Sequence, residues 1–330
     1  MGERLAETER KYETAVSEAG PGGSDPGART PEALEGLEEL AGVAEVRRPE
    51  PDRLDAVYYD TADLALAAHR TTLRRRTGGQ DAGWHLKLPT TRPDTRTEVH
   101  APLGDAAGAP PDELRTEIAA IVRGRPLAPV VRLRTLRRRT LLVDAAGRTL
   151  AEIAHDEVRA DLAGADTPAD SANPSPSPDS APAPEPAWTP GPAWTETEVE
   201  LADGDPGLLD AVEERLLAAG MHRSSSASKL AHALGDHLVP PLPRPPAVPA
   251  SAGQTATGYL HEQLTALLAL DPAVRRAEED AVHRMRVATR RARSALKSFG
   301  RELDRKVTDP LGAELSGWPA RSGWSATGRC

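Results

Sequence analysis

The chain has 330 residues, 38% hydrophobic and 28% charged, with 31 prolines and a formal net charge of −9, which predicts two domains with buried cores joined by irregular connectors. The negative balance argues against general nucleic-acid affinity, although local basic clusters can still hold a polyanion; no apolar run reaches the roughly 20 residues of a membrane span, and the charged N-terminus lacks the apolar centre of a secretory signal, so a cytoplasmic protein is expected. The single cysteine, Cys330, allows no internal disulfide or thiolate metal site, so any metal must be held by oxygen or imidazole.

Near the N-terminus, Glu7-Thr8-Glu9-Arg10-Lys11 reads as a strand with Glu7, Glu9 and Lys11 on one face and Thr8, Arg10 and Tyr12 on the other. Two carboxylates on one face repel by about 1 kcal/mol at 4 Å even in bulk water. A divalent cation would bridge them; a solvated, mixed-charge strand is the plainer alternative. After a Gly/Pro/Ser loop at 20–27, Thr30-Pro31 predicts an N-cap and a helix with Leu34, Leu37, Leu40 and Ala41 on its stripe, ending at Gly42. Short alternating runs follow at 56–59, 73–77, 84–88 and 95–100, predicted as antiparallel strands, then a helix at 111–122. Residues 130–143 and 148–158 form a hairpin around Asp144-Ala145-Ala146-Gly147. The Pro/Ala/Ser/Asp tract at about 163–192 is too apolar-poor to order itself and reads as an insertion. A strand at 194–201 and a helix at 207–219 closed by Gly220 complete the first domain, 1–240. A proline-rich linker, 241–256, precedes a helical region at 257–315 and an irregular tail at 316–330.

The strands share a pattern of charge on one face: Glu196, Glu198 and Glu200; Arg74 and Arg76; His85 and Lys87; Arg132 and Arg134; Glu152 and Asp156. One reading is an ordinary antiparallel sheet with a wet face. The other is a closed barrel with helices outside and charges inside, its acidic residues suited to Mg²⁺ or Mn²⁺ and its arginines and lysines to a phosphate chain.

The ordered series Glu7-Thr8-Glu9-Arg10-Lys11, Tyr59-Asp60-Thr61, Leu73-Arg74-Arg75-Arg76, His85-Leu86-Lys87, Arg96-Thr97-Glu98, Glu196-Thr197-Glu198-Val199-Glu200 and Ser228-Lys229 resembles the CYTH domain of the triphosphate tunnel metalloenzymes. The resemblance covers residues 1 to about 240 and implies an α+β fold: an eight-stranded antiparallel β-barrel tunnel with flanking helices. It implies metal-dependent hydrolysis of a triphosphate compound, most of all inorganic triphosphate, with thiamine triphosphatase, nucleotidyl cyclase or non-catalytic polyphosphate binding as alternatives. Position by position, it makes Glu7, Glu9, Glu198 and Glu200 the metal ligands and Lys11, Arg74, Arg76, Lys87, Arg96, Arg134, Arg137 and Lys229 the triphosphate contacts. Glu196, Glu198 or Glu200 would orient or deprotonate the attacking water. His85 stands where the family commonly has threonine.

In the helical region, helical spacing lines up His283, Arg286, Arg290, Arg293 and Lys297, which by periodicity alone is a solvated basic face. The segment from Gly258 to Leu315 resembles the first block of the all-helical CHAD domain, which implies polyphosphate binding along that row. The family continues through further helices, so the resemblance implies a truncated module.

Overall fold

A computed structural model describes residues 3–14, 34–104, 109–164, 186–238 and 245–321 of the chain. It contains strands β1 (Glu3–Thr14), β2 (Glu45–Arg47), β3 (Asp52–Asp60), β4 (Thr72–Thr77), β5 (Gly83–Pro89), β6 (Thr95–Ala101), β7 (Ala128–Val143), β8 (Thr149–Ala163), β9 (Trp188–Leu201) and β10 (Met221–Arg223). Eight of these close a ring in the order β1-β6-β5-β4-β3-β7-β8-β9, with β9 pairing back onto β1; β2 and β10 add to its margins. All pairings are antiparallel. The first strand therefore closes the barrel, pairing β6 through residues 3–8 and β9 through residues 8–12. Closure removes both sheet edges, and the two-residue period then divides each strand cleanly into an inner and an outer row.

The outer face carries the first apolar core. Tyr12, Leu142, Ile153 and Val199 pack against Leu208, Leu209, Val212 and Leu216 of the helix Pro206–Ala218. That helix starts where Asp205 accepts a hydrogen bond from the Gly207 amide at 2.8 Å, with proline in its first turn.

The inner face is mixed. Ala56, Tyr58, Val131, Leu133, Val158 and Ala160 form an apolar section covered by Leu230, Ala233 and Leu234 of the short helix Lys229–Leu234, and the remainder is charged. The charged interior expected from the strand pattern thus occupies only part of the barrel.

Three expected elements differ. Residues 34–42, expected as helix, contain only a 3-10 turn at Leu37–Glu39, because Gly36 takes a left-handed φ of 67° and interrupts the backbone there. The helix at 111–122 is two short pieces, Asp112–Glu117 and Ala119–Val122, broken at Ile118. The irregular tail is helical to its sixth residue, since the last helix runs Arg305–Arg321. Strands β8 and β9 extend into the expected insertion as far as Ala163 and from Trp188; its residues 165–185 lie outside the described ones, as do 322–330.

The chain divides into two compact units. One comprises residues 1–114 and 125–239, the other 115–124 and 240–330. In the second unit, Ala273 and Val274 of the helix Ala252–Arg275 pack on Ala281 and Met285 of the helix Ala281–Ser298. Among the described residues, no helix is long and apolar enough to cross a membrane.

Candidate active site

The charged part of the barrel interior is a cavity lined almost wholly by charged and polar side chains. Its walls carry seven cations, Lys11, Arg74, Arg76, Lys87, Arg96, Arg137 and Lys229, and six carboxylates, Glu7, Glu9, Asp81, Glu98, Glu198 and Glu200. Pairing register explains the gathering. Glu9 lies across from Glu200 and Lys11 from Glu198 at the β1–β9 seam; Glu7 lies across from Arg96, and Lys87 from Glu98. Lys229 enters from the first residue of its helix, whose N-cap Ser228 accepts from the Ala231 amide at 3.1 Å.

The carboxylates fall into two electrostatic groups. Asp156, Glu196 and Glu198 bring ligand oxygens within 4.8 Å of one another, close enough to hold a metal ion. The Lys229 ammonium already sits among them, at 3.0, 2.5 and 2.8 Å, and Arg137 bridges Asp156 and Glu198 at 2.7 and 2.8 Å. Burial disfavours the Glu198 charge, but Lys11, at 2.6 Å, together with Lys229 and Arg137, outweighs it and holds the carboxyl well below its usual range. This group is neutralised by the protein's own cations.

Of Glu7, Glu9 and Glu200, two are less well matched. Burial, with a hydrogen bond to Glu98, pushes Glu7 up to about 7 despite Lys87 at 2.6 Å. Burial and the neighbouring Glu7 likewise push Glu200 up to about 7. Glu9 alone is held down at about 2, where Lys11 and Lys87 overcome its burial. Two of the three carboxyls therefore resist ionising, and a cation placed beside them would favour their charged form. The all-oxygen set suits a hard divalent ion.

Of the residues expected at the site, Glu7, Glu9, Glu198, Glu200, Lys11, Arg74, Arg76, Lys87, Arg96, Arg137 and Lys229 line this cavity. Glu196 lies behind its wall, 4% exposed, accepting from the Trp194 indole at 2.7 Å. Arg134 does not line it: 52% exposed, it pairs with Asp161 at 2.6 Å. The reason is parity. Arg134 and Arg137 are three residues apart on one strand, so they point to opposite faces, and the inner row of β7 runs through Val131, Leu133, Thr135 and Arg137. Arg132 is outward with Arg134 and pairs with Asp55. Sequence reasoning did not single out Glu98, Asp81, Tyr58, Thr72 and Ser228 as lining residues, nor Asp156 as the buried partner of Arg137 and Lys229. Glu98 and Asp156 were visible as in-phase charges on their strands; Asp81 sits in a turn, where no period applies.

His85, 2% exposed, joins two parts of the wall. Its Nε2 lies 2.9 Å from the Asp81 backbone carbonyl, which only accepts, so Nε2 carries the hydrogen. Its Nδ1 lies 2.9 Å from Glu98 Oε1. Tyr59-Asp60-Thr61 is a structural staple instead: buried Asp60 accepts from the amides of Thr61, Leu66 and Ala67. In the second unit, His283, Arg286, Arg290, Arg293 and Lys297 are all exposed.

The CYTH domain model matches residues 29–234 and the CHAD domain model residues 258–322. Two uncharacterized proteins of Mycobacterium tuberculosis, MT2285 of strain CDC 1551/Oshkosh and Rv2226 of strain H37Rv, are each 41% identical over 314 residues. That match covers 93% of this chain, which spans about half, 56%, of each relative's length. Among solved structures, bh2851 of Bacillus halodurans is 16% identical with a TM-score of 0.42, over 70% of this chain and 98% of that one. HpAC1 of Hippeastrum, described as having a dominant triphosphatase activity, is 14% identical with a TM-score of 0.35, over 71% and 98%. With a closed eight-stranded barrel and a family match over most of its length, the chain belongs to the CYTH family, followed by a CHAD domain match.

Proposed function

We propose that the barrel hydrolyses triphosphate compounds, inorganic triphosphate first among them, with Mg²⁺ or Mn²⁺. The observation that carries this reading is the make-up of the cavity wall: Glu7, Glu9 and Glu200, two of them under-neutralised, beside a row of buried lysines and arginines. The trio would hold the metal, which when bound neutralises phosphate charge and favours attack by water. Lys11, Arg74, Arg76, Lys87, Arg96 and Arg137 supply donors for a phosphate chain and stabilise the charge that spreads over the transferred group. Lys229 and Arg137 fix the acidic row by pairing with Asp156 and Glu198. Of the three carboxylates expected to act on water, Glu198 is a poor base because three cations hold its proton affinity down. Glu200, raised by burial and by Glu7, is the more basic of the two in the metal-free barrel. The exposed basic row of the second unit fits sequence-indifferent binding of a polyphosphate chain.

The test incubates the protein with inorganic triphosphate, ATP, thiamine triphosphate and long-chain polyphosphate plus either metal, and identifies products. Phosphate release from triphosphate is expected in the wild type and is lost in Glu9→Gln, which removes the charge that Lys11 and Lys87 face. Full activity in Glu9→Gln refutes the assigned site; cyclic nucleotide as main product refutes the reaction.

A further inference from the structure

The turn between β4 and β5 puts a carboxylate on the most anion-starved cation of the cavity. Arg76 faces inward from β4 with its side chain 4% exposed. Burial, together with neighbouring Arg74 and Arg137, lowers its guanidinium to about 9, the environment of a cation short of counter-charge. Its ion-pair partner is Asp81, whose carboxylate meets Nη2 and whose backbone carbonyl lies 3.4 Å from the same nitrogen.

Asp81 is unlike the other acids of the wall. Its side chain is 64% exposed, so it can leave Arg76 for water at little desolvation cost. Its backbone, by contrast, is fixed. Gly78 and Gly79 take left-handed φ values of 80° and 72°, and a Cβ on Gly78 would lie 2.1 Å from the Arg53 carbonyl oxygen, so the turn is seated tightly on β3. His85 Nε2 donates to the Asp81 carbonyl from inside the barrel. A held backbone with an ion-paired but exposed carboxylate is the arrangement of an anion that can come off and return.

We propose that Asp81 is a displaceable competitor for Arg76 that weakens the cavity's hold on phosphate and so sets its selectivity by charge, with His85 as the positioning residue that keeps it in range. This rests on the reading of the cavity as a phosphate-chain site. A phosphate group reaching Arg76 must displace a monoanionic carboxylate. A terminal phosphate, carrying about −1.5 to −2, does so more readily than a singly charged anion. When product leaves, Asp81 takes the guanidinium back.

The experiment measures tripolyphosphate binding by calorimetry, and metal-dependent hydrolysis with orthophosphate as inhibitor, for the full chain and for Asp81→Asn, Asp81→Glu and His85→Thr. Removing one charge-assisted contact predicts about tenfold tighter tripolyphosphate binding and orthophosphate inhibition in Asp81→Asn. KM moves more than kcat, Asp81→Glu returns towards wild type, and His85→Thr shifts in the direction of Asp81→Asn. An active wild type with equal or weaker binding in Asp81→Asn overturns the proposal while leaving the phosphate site intact. Binding in neither protein overturns the site reading and the competitor with it; binding in Asp81→Asn alone supports the competitor.

Discussion

At the scale of single residues, the carboxyls of Glu7 and Glu200 link protonation to stability and, on the proposed reading, to metal. Both ionise near 7 in the folded chain against 4.5 in an unconstrained one. The folded state therefore binds more protons between about 4.5 and 7, and their contribution to stability is complete below that window and lost as pH rises through it. Glu9 has the opposite sign: held at about 2, it contributes above 4.5 and loses that contribution as pH falls. The melting temperature of the metal-free protein is expected to fall from pH 5 to pH 7. Mg²⁺ restores it at pH 7 and does little at pH 5, where the carboxyls hold protons, and Glu200→Gln flattens the fall. A profile that is level over this range and indifferent to Mg²⁺ would show that the trio is already neutralised.

At the scale of the strand, parity decides which charges matter. Arg137 pairs with Asp156, itself fully buried, and with Glu198; Lys229 stays on both acids, so Arg137→Ala removes one partner of two and is expected to cost about 1–3 kcal/mol. Arg134, outward and half-exposed, is expected to change stability by no more than about 0.5 kcal/mol as Arg134→Ala, with turnover retained. Urea midpoints of the two variants distinguish them; equal losses would place the β7 register one residue off. The same rule explains what could be read from sequence. Alternation in β1, β4, β5 and β9 is short and in phase, so Glu7, Glu9, Lys11, Arg74, Arg76, Lys87, Glu198 and Glu200 could be assigned to one face before any coordinates. In β7, the run Arg132 to Arg139 offers arginines in both phases, and only its pairing with β3 and β8 selects between them. The apolar half of the interior was illegible for another reason. Val131 and Leu133 look like an outer face until the helix Lys229–Leu234, distant in sequence, is seen to cover them. The short 3-10 turn at Leu37–Glu39 follows from one left-handed glycine, which an apolar stripe does not reveal.

At the scale of the whole chain, a net charge of −9 includes a cavity wall that is itself close to balanced, with seven cations facing six carboxylates. The walls are therefore not a bare cationic lining awaiting an anion; the cations already hold acids. Lys87 lies 2.6 Å from Glu7 and 3.6 Å from Glu9, and Arg96 lies 3.8 Å from Glu9. On the proposed reading, a divalent ion held by Glu7 and Glu9 would release Lys87 and Arg96 to meet phosphate, and phosphate drawing those cations away would leave Glu7 and Glu9 in need of a counter-charge. Each ligand would then raise the affinity of the other, by an equal factor in both directions. Stabilisation by a ligand grows with its occupancy, so melting temperature reports this coupling directly. Mg²⁺ alone and tripolyphosphate alone are expected to give small shifts, and the two together a shift larger than their sum, even though chelation in solution removes some of each free ligand. Glu9→Gln, which frees Lys11, Lys87 and Arg96 from a carboxylate without any metal, is expected to make tripolyphosphate alone more stabilising and to abolish the excess from adding Mg²⁺. Strictly additive shifts in the wild type would mean that metal and phosphate draw on separate parts of the wall.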